Sequence, residues 1–180
     1  MLFKHAEIFT PQGFEYWGRI SALKAGIVFS DKVSTVSPTY AEELLTPEFG
    51  MGMEGVLAGR GGDFVGILNG IDLDAWTPPF ADLAGKARAR AALRGEFGLA
   101  DSAGPLCVVI SRLSEQKGLD LLIEALPALV ENGGQLAVLG TGDARLENAL
   151  RDAAARDPAS VAVRIGYDEA LAHRMIEGGD

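Results

Sequence analysis

Leu106-Cys107-Val108-Val109-Ile110-Ser111-Arg112-Leu113-Ser114-Glu115-Gln116-Lys117-Gly118-Leu119-Asp120 is the stretch that decides the fold. Residues 106–110 form a continuous apolar run, as a strand buried on both faces of a parallel sheet requires. A polar loop ends at Gly118, and from there to Val130 apolar residues recur at Leu122, Leu126, Leu129 and Val130, a helical stripe. The unit then repeats. Residues 135–139 read as a second strand, followed by Gly140-Thr141-Gly142-Asp143 and a helix carrying Leu146 and Leu150 one turn apart. Residues 161–165 read as a third strand, and 168–176 begin a third helix. Strands and helices alternating over short loops predict an α/β fold with a parallel sheet and right-handed crossovers.

Upstream the texture changes twice. Residues 69–104 look like a junction: Asn69-Gly70 is a turn signal and Thr77-Pro78-Pro79 a stiff breaker. A basic, Ala-rich helix is expected over 83–97, closed by Gly98, with Lys86, Arg90 and Arg94 forming one solvated face. Residues 1–68 mix loops and short elements. Ile20, Leu23, Ile27 and Val28 are spaced like one face of a helix within 16–29, and 31–36 read as a strand. Ser37 reads as an N-cap and Pro38 as the first-turn proline of a helix over 39–45. Residues 64–68 read as another short strand.

The 180 residues, 48% hydrophobic and 23% charged, have the balance of a globular protein with a sizeable core. The net charge of −9 argues against non-specific binding to nucleic acid or to an anionic membrane. Cys107 stands alone, so an internal disulfide is excluded and a reducing, cytoplasmic home is expected. No run of about 18 apolar residues marks a transmembrane helix, and MLFKHAEIFTPQ at the start has no signal-peptide core. Because the chain stops just after a helical pattern, where a parallel sheet usually continues, it is expected to come from the middle of a longer one.

The chemistry gathers where strands run into helices, the rim at which open α/β sheets bind ligands. In the first such loop Arg112 and Lys117 bracket a helix start, whose free N–H groups and dipole favour an anion. A guanidinium fork and a mobile ammonium suit a diphosphate. Equally, the two cations pair with acids such as Glu115 or Asp120. Gly140-Thr141-Gly142-Asp143, in the second loop, lets a ligand approach the backbone, or is a tight turn with Asp143 as N-cap. It lacks the G-x-G-x-x-G spacing of a dinucleotide fingerprint. In the third loop Tyr167 either stacks on a nucleobase or packs at the turn, with Asp168 capping the next helix. His5 and His173 are isolated, which leaves no metal-ligand spacing, and His173 reads as structural or solvated. No Ser-His-Asp set or catalytic carboxylate pair stands out.

The stretches STVSPTYAEE (34–43), GILNGID (66–72), SRLSEQKGLD (111–120), LGTGD (139–143) and RIGYDEA (164–170), in this order, resemble the bacterial glycogen synthase and plant starch synthase family. The resemblance runs from about Tyr16 to Asp180. It implies a GT-B fold, here the tail of the N-terminal Rossmann-like domain and the first βαβαβα half of the C-terminal one. On that scheme 1–70 end the acceptor-side domain, 71–104 are the interdomain linker and helix, and 105–180 begin the nucleotide-sugar domain. The implied reaction moves glucose from ADP-glucose to the non-reducing end of an α-1,4-glucan with retention, without a cofactor or a required metal. By motif match Arg112 and Lys117 would be catalytic, holding the distal phosphate and stabilising the leaving diphosphate, a kind of contact worth roughly 3 kcal/mol per group. Tyr167 would lie by the adenine, and Gly140, Thr141 and Gly142 would shape the pocket wall. Asn69 would line the sugar side, and 78–94 would let the two halves close.

The sequence also departs from the family. It has no Lys-x-Gly-Gly loop, while the family's donor-site glutamate would fall beyond residue 180 and its sugar-side histidine before residue 1. The chain alone is therefore expected to be inactive as a synthase. Two other readings fit the rim: a GT-B transferase using UDP- or GDP-sugars, and a non-catalytic nucleotide- or glucan-binding module.

Overall fold

Two units divide the chain, one running up to Asp72 and the other starting at Leu73. The computed structural model describes residues 9–180, so His5 lies outside the described residues.

The first unit opens with an antiparallel hairpin of β1 (Glu15–Tyr16) and β2 (Arg19–Ile20). Its tip residues, Trp17 and Gly18, have φ of 51° and 72°, as a two-residue turn between right-twisted strands requires. The helix expected within 16–29 therefore begins only at α1 (Ala22–Phe29), where Ser21 caps it by accepting from the Lys24 amide at 3.1 Å. Ile20 belongs to a strand; strands of two residues are too short to interrupt the apolar rhythm that suggested a longer helix. The Lys24 ammonium is buried and donates to the carbonyls of Pro11 and Glu15, both at 2.6 Å.

β3 (Val33–Val36) pairs in parallel with β4 (Phe64–Ile67), and α2 (Pro38–Glu43) and α3 (Glu54–Ala58) lie between them in sequence. Ser37 precedes α2 as expected, but its side chain caps nothing. Its φ of 72° and its amide bond to the Ile67 carbonyl (3.0 Å) commit its backbone to β4 instead. Gly66 has no Cβ because the Ser37 carbonyl occupies that space.

The second unit runs α4 (Leu73–Trp76), α5 (Leu83–Phe97), β5 (Leu106–Ile110), α6 (Leu119–Glu131), β6 (Gln135–Gly140), α7 (Ala144–Arg156), β7 (Val161–Ile165), α8 (Glu169–Gly178). The sheet is parallel in the order β5-β6-β7, with Leu106 opposite Gln135 and Leu136 opposite Val161. The strand buried throughout is β6, not β5; β6 is paired on both sides, whereas β5 buries only Leu106 fully and half-exposes its end. Alternation along β6 feeds two cores. Leu136 and Val138 face Leu126 of α6 and Leu146 and Leu150 of α7. Ala137 and Leu139 face Leu93 of α5 and Leu171 and Met175 of α8. Each fully buried Leu contributes about 1.5–3 kcal/mol relative to exposure.

The basic row of α5 is not a solvated face. Arg94 is only 6% exposed; its Nε donates to Gln135 Oε1 and one terminal nitrogen to the Gly104 carbonyl, both at 2.7 Å. Gln135 in turn donates to the carbonyls of Ala100 (2.8 Å) and Ala159 (3.0 Å). Arg90 pairs with Asp180 at 2.9 Å, and Lys86 donates to the carbonyls of Glu177 and Gly179 at the end of α8. Cations suit a helix carboxyl end, where carbonyls are unpaired. α5 packs so close to α8 that a Cβ on Gly178 would meet Leu93 Cβ at 2.8 Å. These contacts make α5 part of the second unit.

Candidate functional site

The carboxyl ends of β5, β6 and β7 open onto a cleft of about 300 Å³, lined by residues that include Arg112, Gly140, Thr141, Gly166 and Tyr167.

The first loop is pinned by Leu113, which is fully buried. Its amide donates to the Thr141 carbonyl at 3.0 Å, and its carbonyl accepts from the Asp143 amide at 2.7 Å. The chain then makes one tight turn over Glu115–Lys117 and enters α6 through Gly118 at φ 68°. Among the described residues no side chain caps α6, and Ser114 Oγ has no hydrogen-bond partner. The first-turn amides of α6 thus meet no protein acceptor side chain. Arg112 and Lys117 are exposed, and their side chains have no hydrogen-bonded or ion-paired partner among the described residues. Glu115 pairs with Arg145 of α7 at 2.5 Å instead, so the pairing of these cations with Glu115 or Asp120 is not formed. Arg112 lines the cleft, whereas Lys117 stands at the end of the tight turn and is not part of the lining.

The second loop explains its glycines differently from the reading that small residues admit a ligand. A Cβ on Gly140 would collide with the Ser111 carbonyl, and one on Gly142 with the Leu113 carbonyl. Both glycines are needed because the first loop lies on the second. Asp143 caps α7, accepting from the Arg145 amide at 2.7 Å. Gly140 and Thr141 line the cleft, but Gly142 does not. Its N–H donates to Glu147 Oε1 at 3.0 Å, and the Thr141 hydroxyl donates to the same oxygen at 2.8 Å. The Gly142 amide, then the Thr141 hydroxyl and Arg151, hold the Glu147 carboxyl below the usual carboxylate range. Sequence reasoning missed Glu147; the available signal was an acid in the first turn of a helix already capped by Asp143.

In the third loop the Gly166 amide donates to the Gly140 carbonyl at 3.1 Å, which joins all three turns. Asp168 caps α8, accepting from the Leu171 amide at 2.8 Å. Tyr167 is not packed at the turn: it is 87% exposed and flanks the cleft. An aromatic ring with a free face at the edge of a cleft can take a planar base, and two unpaired cations can take a diphosphate.

Asn69 follows β4 in the first unit and is exposed. His173 stacks on Trp76, centroids 3.9 Å apart and planes 17° apart. Cys107 is half-buried against the α6–α7 core. Among the described residues no group of three or more His, Cys, Asp and Glu could hold a metal ion, and no helix is long and apolar enough to cross a membrane.

Comparison with known proteins gives consistent results. The family model for the starch synthase catalytic domain matches residues 2–59. A glycogen synthase of Paracoccus denitrificans is 77% identical over 175 residues, 97% of this chain and 37% of that protein. One of a Jannaschia species is 54% identical, over 96% of this chain and 38% of that protein. Among solved structures, the catalytic domain of starch synthase IV from Arabidopsis thaliana bound to ADP and acarbose matches with a TM-score of 0.83 and 35% identity, over 96% of this chain and 39% of that one. The chain thus spans somewhat over a third of the length of these relatives.

Proposed function

Because the chain belongs to the glycogen synthase and starch synthase family, we propose that it supplies part of the donor site of an ADP-glucose-dependent glucosyltransferase. Its parallel α/β architecture is that of the family's GT-B catalytic domain. The observation that carries the reading is a pair of exposed side-chain cations without partners in the β5–α6 loop, Arg112 lining a cleft edged by Tyr167 and Lys117 just ahead of the uncapped start of α6. In this reading Arg112 and Lys117 hold the distal phosphate and stabilise the diphosphate as the glycosidic bond breaks. Fixed cations act most where negative charge develops. Tyr167 covers the adenine, and Gly140 and Thr141 shape the wall beside it, while Gly142 lies off the cleft with its N–H held by Glu147. Asn69 serves the sugar side, and an α-1,4-glucan is the acceptor.

Residues up to 70 then belong to the acceptor-side domain and 71–104 to the interdomain linker and its helix, of which α5 is clamped onto α8. In this reading the enzyme works in the cytoplasm, which the lone Cys107 favours. The chain by itself is expected to transfer no glucose, since it has no Lys-x-Gly-Gly loop.

Amide NMR shifts of the labelled chain, titrated with ADP and then UDP, test this. ADP is expected to shift amides of 111–118 and of Tyr167, with UDP weaker. Arg112→Ala together with Lys117→Ala is expected to abolish the response. A folded chain whose amides ignore both nucleotides would sink the assignment, and a stronger response to UDP would move it to transferases with another donor.

A further inference from the structure

Two helix starts face the same rim, and only one is open. α6 and α7 are equally long, each follows a strand of the same sheet, and each start presents backbone donors. At α6 the donors meet no side-chain cap, Ser114 Oγ is an orphan, and two cations stand unpaired. At α7 the Asp143 carboxylate takes first-turn amides, and Glu147 Oε1 takes the Gly142 N–H and the Thr141 O–H. Two carboxylate groups thus fill the positions a phosphate would need, and Glu147 is further fixed by Arg151 at 3.2 Å. Two residues earlier, Arg145 grips Glu115, the acid that lies between Arg112 and Lys117 in sequence.

We propose that Arg145 and Glu147 are positioning residues that sort the anions of this rim. Glu147 closes the β6–α7 turn with the chain's own carboxylate. Arg145 keeps Glu115 away from Arg112 and Lys117. An incoming diphosphate is left with the α6 start alone, and this sets which way round the nucleotide lies in the cleft. The inference rests on the nucleotide reading of the site and adds what orients the ligand. It also explains why Arg112 and Lys117 are unpaired despite acids close by in sequence: the nearest acid is engaged from another helix.

The test uses the labelled 180-residue chain, titrated separately with inorganic phosphate and with ADP and followed by amide shifts. In the unaltered chain phosphate should move amides near Arg112 and Lys117 and leave Gly142 still. Glu147→Ala should make the Thr141 and Gly142 amides respond to phosphate and weaken ADP about fivefold, the scale of one charge-assisted contact misplaced. Glu147→Gln keeps an acceptor oxygen and should keep the turn closed. Arg145→Ala should weaken ADP roughly threefold, the scale of an exposed ion pair. Adding Glu115→Ala to it should restore binding, which a merely structural role for Arg145 does not predict.

If the unaltered chain binds ADP but Gly142 ignores phosphate in Glu147→Ala and Glu115→Ala restores nothing, the sorting is overturned and the nucleotide reading stands. If ADP does not bind yet Glu147→Ala opens Gly142 to phosphate, the closure stands and the nucleotide reading falls.

Discussion

Two sets of cations in the second unit have opposite fates. Lys86, Arg90 and Arg94 recur every four residues on α5 with no acid obviously opposite, and all three are engaged, Arg94 almost completely buried. Arg112 and Lys117 sit within a few residues of Glu115 and Asp120 and are engaged by neither. Nearness in sequence is a poor guide to pairing, because a loop's geometry decides which side chains can meet. The first set holds the fold together; the side chains of the second meet no partner among the described residues.

That contrast breaks most visibly at Arg94. Arg94→Ala leaves the Gln135 Oε1 and Gly104 carbonyl acceptors without their charged donor inside the unit, a loss of about 3 kcal/mol. Thermal unfolding followed by circular dichroism should show it as a melting temperature lower by several degrees. A melting curve matching the unaltered chain would mean the guanidinium is not needed there.

A smaller effect is expected on acidification. Hydrogen bonding to Arg174 leads the causes that hold Glu96 below its ordinary value. At Asp180 burial pushes the carboxyl up, but the Leu106 amide and Arg90 outweigh it and the net shift is down. Groups with depressed folded values stabilise the fold above their unfolded values, and that contribution disappears as pH falls through the folded ones. Melting temperature should therefore hold steady at neutral pH and drop below about pH 4, with a shallower drop in Arg174→Ala. An equal acid slope in both proteins would remove Glu96 from the account.

The smallest effect on stability belongs to the other set. Arg112→Ala with Lys117→Ala should leave the melting temperature within about 2 °C, since neither side chain has a partner to lose, while ADP binding disappears. A double variant that melts early would show that these residues are structural after all.

How much of this was legible beforehand depended on scale. The three strands and three helices after residue 105 were readable to within a few residues, because their strands are short, mainly apolar runs and Gly118, Asp143 and Asp168 punctuate them. The hairpin at 15–20 was not, since two-residue strands carry no period, and Ser37 misled because β4, distant in sequence, sets its backbone. In the rim, Arg112 and Tyr167 could be named from their place after a strand. Glu147 and Arg145 could not: their roles exist only once two loops lie one on the other.

The hairpin tip and the stacked imidazole together give each unit its own optical reporter. Of the two tryptophans, Trp17 in the first unit is 80% exposed and should emit as if in water even in the native state. Trp76 in the second unit lies against His173 and should shift its emission when α8 comes away. Replacing one indole at a time would let a fluorimeter follow the melting of each half separately, and so reveal whether they unfold together or in turn.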